Sequence, residues 1–115
     1  MAIRETWIPV DLARFPPSKS IKANADGRDR IGAIVTRHGE PVNLTASSML
    51  ATLVMPDGTA QYIAEYGGIS GNRASVTLPE EAYEIAGNVT IALRYKDGDS
   101  ITTLCYVTMM VGEGV

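Results

Sequence analysis

Cysteine and histidine occur once each in this 115-residue chain, as Cys105 and His38. One cysteine excludes an internal disulfide and any thiolate-rich zinc site, and one histidine would leave a metal dependent on carboxylates. No metal and no cofactor is expected. Positive charge is not in surplus either: 10 Lys and Arg stand against 13 Asp and Glu, a net charge of −3. Sequence-independent nucleic-acid binding rests on the opposite balance. The one basic cluster, Arg28, Arg30 and Arg37, is diluted by Asp26 and Asp29, so no nucleic-acid partner is expected. Long apolar runs are absent. Leu104–Val111 is the best, it contains Thr108, and a membrane helix needs about 20 residues, so no membrane insertion is expected. Met1–Glu5 opens no apolar segment with a small-residue cleavage site, which points to synthesis in a cytoplasm.

What is present suits one folded domain. The chain is 45% hydrophobic and 20% charged, the balance of an ordinary globular protein. A chain of this size buries about two-thirds of its unfolded surface, enough for a core without staples. Thr, Val, Ile and Tyr recur in short stretches divided by Gly, Pro, Asn and Asp, the pattern of antiparallel strands. In Asn88–Lys96, Val89, Ile91, Leu93 and Tyr95 alternate with polar or small residues, which predicts one buried and one wet face. Asp97-Gly98 then signals a tight turn into Ser100–Val111. That strand has Ile101, Thr103, Cys105, Val107, Met109 and Val111 on one parity and Leu104, Tyr106 and Met110 on the other. It is therefore expected to be central and covered on both sides.

A second hairpin is expected from Ser48–Met55 and Ala60–Tyr66, joined by Pro56-Asp57-Gly58-Thr59. Arg30–Arg37 and Arg73–Leu78 read as further strands, with His38-Gly39-Glu40-Pro41 a turn and Val42–Leu44 a short edge segment. Thr77 and Glu80 have the spacing of a capping box, and Pro79 and Gly87 could bound a helix over Glu80–Ala86. The predicted fold is all-β: an immunoglobulin-like antiparallel sandwich of about seven strands, with that one short helix and an extended N-terminal arm.

The arm, residues 1–25, stands apart from the sandwich, residues 26–115. Trp7-Ile8-Pro9-Val10-Asp11-Leu12 alternates like a strand, but Pro9 withholds a ladder donor and confines it to an edge. Two readings stay open. Either Trp7–Leu12 is the first edge strand of its own sandwich, or the arm contacts another chain through Trp7, Ile8, Val10, Leu12 and Phe15, with Trp7 as anchor.

Catalytic signals are weak. Cys105 reads as a small buried hydrophobe, and His38 sits in a turn. Gly68-Ile69-Ser70-Gly71 lacks the spacing of a nucleophile elbow. Asp97-Gly98-Asp99 and Asp26-Gly27-Arg28-Asp29 fall short of a calcium loop. Glu80, Glu81 and Glu84 read as a solvated helix face, and Gly67-Gly68 with Gly71 as no phosphate loop. The Asn43-Leu44-Thr45 and Asn88-Val89-Thr90 triplets read as strand alternation rather than glycosylation sites. No catalytic residue is assigned. A sugar-binding platform would draw on the aromatics, of which only Tyr62 and Tyr66 are spaced to share a face.

Gly39-Glu40-Pro41-Val42-Asn43-Leu44-Thr45, then a strand, then Met55-Pro56-Asp57-Gly58, resembles the N-terminal domain of phage baseplate upper proteins. There a G-x-P-V-D-L-T-G stretch precedes a strand ending in K-P-D-G. A Pro-led short helix, the strand Val89–Lys96, the Lys96-Asp97-Gly98 turn and an apolar final strand follow in the same order, so the likeness spans Ile21–Val111. Asn43 stands where Asp is usual and Ala46 where Gly is usual. The resemblance implies an immunoglobulin-like sandwich in a tail-tip baseplate. Such a domain joins tail hub to receptor-binding parts without catalysis, with other tail proteins and copies of itself as partners. A small carbohydrate- or protein-binding module of a bacterial surface or tail-fibre system is the alternative.

Overall fold

A computed structural model describes residues 4–23, 29–44, 48–65 and 69–112, with the backbone alone for residues 61–65. Ten strands form in chain order: β1 (Arg4–Asp11), β2 (Ser18–Lys22), β3 (Asp29–Arg37), β4 (Glu40–Pro41), β5 (Ser48–Val54), β6 (Ala60–Glu65), β7 (Ile69–Ser70), β8 (Arg73–Thr77), β9 (Gly87–Asp97) and β10 (Ser100–Val111). They make two mixed sheets packed as a sandwich. The first sheet runs β1-β3-β8-β7, with β4 also on β3; the second runs β2-β10-β9-β5-β6.

The turns form where local chemistry places them. Asp97 pairs with Ser100 across a turn whose Gly98 takes φ +60°. Val54 pairs with Ala60, closed by Met55 N–H donating to the Thr59 carbonyl at 2.8 Å and by the Asp57 carboxylate accepting from Thr59 N–H at 2.9 Å. Arg37 pairs with Glu40, so the turn between them is His38-Gly39 alone, both at positive φ, and Glu40–Pro41 is strand. That is the two-residue geometry whose twist suits a hairpin. The short edge segment expected at Val42–Leu44 is not strand; β4 lies just before it.

The core lies between the sheets. Ile8, Val10, Ile31, Ala33, Val35, Ala74 and Val76 from the first sheet meet Met49, Ala51, Leu53, Val89, Ile91, Leu93, Val107 and Met109 from the second. Near the start of β3, Asp29 is fully buried and ties three elements together. It accepts from Arg4 Nε at 2.8 Å and from the Tyr83 hydroxyl at 2.8 Å, and its own carbonyl accepts from Leu78 N–H at 3.0 Å. Arg4 also donates to the Lys22 carbonyl, joining the two ends of the N-terminal segment.

Three expectations are corrected, and the N-terminal segment takes one of its two open readings. The sandwich is not wholly antiparallel: β1 pairs with β3 in parallel, and so does β2 with β10. Parallel neighbours need a crossover of about a dozen residues or more, and between β1 and β3 the chain makes one by way of β2 in the other sheet. Residues 4–22 are therefore no free arm, because they supply a strand to each sheet. The expected helix is a single 3-10 turn, Glu80–Tyr83. It starts from an extended Pro79 with no side-chain cap, and Gly87 already belongs to β9. Four residues leave the nucleation cost of a helix unrecovered. Finally, β10 is not covered on both sides. A bulge between Thr103 and Cys105 turns both Leu104 and Cys105 inward, while Tyr106 and Met110 face out. Before the bulge the parity reverses, so Ile101, expected inside, is 57% exposed.

Candidate partner interface

Parallel register puts Glu5, Trp7 and Pro9 of β1 beside Arg30, Gly32 and Ile34 of β3 on the outer face of the first sheet. Trp7 is half-buried there, lying on its own sheet rather than reaching away from it. Its six-membered ring rests on Gly32, where an added Cβ would stand 2.5 Å from the ring. The Arg73 guanidinium lies 5.6 Å from the ring centroid, and the indole N–H donates to Glu5 at 3.0 Å. Arg30 donates to the buried Ser75 hydroxyl at 3.1 Å. Glu5, Trp7, Arg30, Arg73 and Ser75 line a shallow depression of about 280 Å³ with Ile69 and Ser70. This face is charged, and Trp7, its one aromatic among the described residues, is already engaged.

The residues named for an arm contact divide. Ile8 and Val10 are 3% exposed and belong to the protein's own core, which is the edge-strand reading. Leu12 is half-buried against that core, its N–H donating to the Thr36 carbonyl at 2.7 Å. Phe15 is 95% exposed in the crossover to β2. Of the five, Phe15 alone has its whole ring in solvent.

The outer face of the second sheet has a different chemistry. Across the ladder, Tyr106–Ala92–Thr52 form one row and Thr108–Thr90–Val54 the next, with no charged residue in either. Arg94 lies in the adjoining row, Thr103–Arg94–Leu50, while Lys96 pairs with Ile101 and Lys22 with Met110. Exposed large apolar side chains among the described residues are Phe15, Val54, Ile101, Tyr106 and Met110, and the last four all lie on this sheet. Met110 is 54% exposed. An exposed apolar patch rimmed by polar groups marks an interaction surface.

No protein-family model matches the chain, and no curated protein does. Among solved structures, the N-terminal domain of phage TP901-1 ORF48 is similar with a TM-score of 0.60, over 96% of this chain and 100% of that one, at 10% identity. What the two share is the fold. The match takes in nearly the whole chain, so it extends beyond the Ile21–Val111 stretch that carried the motif resemblance.

The residues weighed for chemistry have structural places. Cys105 is fully buried in β10, and burial pushes its thiol up to about 12, so it is not a thiolate near neutral pH. His38 occupies the β3–β4 turn at φ +51°. The Asp11 carboxylate accepts from the N–H groups of Ala13, His38 and Gly39, at 2.9, 3.0 and 3.3 Å, and so holds that turn against the end of β1. Asp97 and Gly98 with Asp99 form the β9–β10 turn, and Glu80, Glu81 and Glu84 lie in and after the 3-10 turn. Among the described residues, no three His, Cys, Asp or Glu side chains group to hold a metal, and no helix is long and apolar enough to cross a membrane. Asp26, Arg28, Gly67, Gly68, Tyr66 and the side chain of Tyr62 lie outside the described residues, as does the boundary drawn between residues 25 and 26.

The outward set on β10 was missed although its signal was visible. Tyr106 and Met110 sit on the parity opposite the core, and apolar residues there ask for a cover. The protein's own chain leaves them exposed.

Proposed function

We propose that this chain is a structural, non-enzymatic component of a phage or prophage tail-tip baseplate, an immunoglobulin-like attachment domain between tail hub and receptor-binding parts. The carrying observation is the correspondence of its fold, over 96% of the chain, with an N-terminal domain of a phage protein. The motif order supports the same reading from an independent side. Gly39 closes the β3–β4 turn, Pro56-Asp57-Gly58 the β5–β6 turn and Asp97-Gly98 the β9–β10 turn, in the order the baseplate resemblance requires. Its partners are other tail or baseplate proteins, and its working location is the virion.

The outer face of the second sheet, with its two uncharged rows, is the surface such a role uses. Co-expressing the tagged chain with the hub and receptor-binding proteins of the same phage is the test. A complex that survives purification is expected, and Tyr106→Lys with Met110→Lys should abolish it while leaving the fold intact. A folded chain that binds none of these proteins would overturn the reading.

A further inference from the structure

Among the described residues, each sheet ends in strands that pair on one side only, and these edges are not alike. β1 carries Pro9 in its middle and Arg4 and Glu5 at its start. β2 follows Pro16-Pro17 and carries Lys19 and Lys22 in five residues. β4 and β7 are two residues long. Proline, lysine and shortness are the devices by which proteins keep an edge from pairing with another chain. β6 has none of them. Ala60-Gln61-Tyr62-Ile63-Ala64-Glu65 is a regular six-residue ladder against β5. It has no Pro or Lys and one charge at its end, and no described strand lies on its far side.

We propose that β6 is a docking edge and that its occupant is β6 of a second copy of this chain, paired antiparallel into one continuous sheet. The inference goes beyond the baseplate reading and stands without it. Its support is self-compatibility. A two-fold axis normal to the sheet keeps every residue on its own face, so the pairing centres on Tyr62 or on Ile63. In the first register Glu65 stands opposite the partner's Thr59, in the second opposite the partner's Gln61. Neither brings like charges together, which is what destabilises directly opposed residues. The first register also continues the uncharged row. Tyr106–Ala92–Thr52 meets β6 at Tyr62, and across the axis the same row runs on through the partner. Arg94, Lys96 and Lys22 lie outside that row, which is doubled in length.

Sedimentation or light scattering across a concentration series tests this on the full chain. A rise to the mass of two chains is expected. Tyr62→Lys and Ala64→Lys should each return the mass to one chain with an unchanged circular dichroism spectrum, and Ser20→Lys, on the edge of β2, should leave two. A chain that stays single at every concentration overturns the proposal, as does a mass above two chains or a pair that survives both β6 substitutions. If neither β6 variant folds, amide exchange on the unaltered chain decides. Slower exchange of residues 60–65 as concentration rises supports the pairing, and exchange independent of concentration overturns it.

Discussion

Trp7 is the chain's single tryptophan, so its fluorescence reports one contact. The ring rests where Gly32 has no side chain, and a Cβ at 2.5 Å leaves no room for both. Gly32→Ala should therefore lift the indole off the sheet, shift its emission to the red and cost about 1–3 kcal/mol, the range for overpacking. An unchanged spectrum would mean that the ring is not seated there. In the core, Leu93 is fully buried on β9, and Leu93→Ala should lower stability by about 2–5 kcal/mol in urea unfolding. Asp11 supplies a pH dependence. Hydrogen bonds from the N–H of Ala13 first, then His38 and Gly39, hold its carboxyl below the usual carboxylate value. A folded pKa below the unfolded one adds stability above the unfolded value, and that stability is lost as pH falls through the folded one. Unfolding midpoints should fall on acidification, and Asp11→Asn, which keeps an acceptor but no charge, should flatten part of the fall.

At the scale of elements, β1 and β2 are the strands whose pairing direction could not be read. Hairpins were legible because Asp97-Gly98 and Pro56-Asp57-Gly58 carry their geometry locally. Alternation at β1 was legible too, and Ile8 and Val10 occupy the buried positions it implies. A period of two is the same for a parallel and an antiparallel strand, however, so nothing in Trp7–Leu12 announces that it runs alongside β3. Trp7 looked free for the same reason: its cover is Gly32, 25 positions away, and the register that joins them is a tertiary fact. The bulge in β10 is a further case, since one extra residue at Leu104 reverses the parity on which Ile101 was assigned. Two core positions, Ile8 and Val10, and the whole parallel pairing with β3 lie within residues 2–17. Deleting residues 2–17 should thus yield an unfolded chain by circular dichroism, and a folded product would contradict its place in the sandwich.

As a whole molecule, the described residues hold ten strands and one 3-10 turn. Circular dichroism should show a β spectrum, and helix above about a quarter, near the globular average, would contradict the fold. Its two outer faces divide the molecule chemically. One is charged and closed by Trp7 on Gly32, while the other presents Val54, Tyr106 and Met110 around uncharged rows. The fold class and most strands were legible in the sequence, but the candidate site was largely not, because exposure depends on which neighbours arrive. The account stands or falls on where the protein is found at work. Quantitative mass spectrometry of purified phage particles from a host carrying this gene measures that directly. The account expects its peptides in intact particles, at a fixed ratio to the other tail-tip proteins. Particles that lack it, from cells that make it in quantity, would contradict the account.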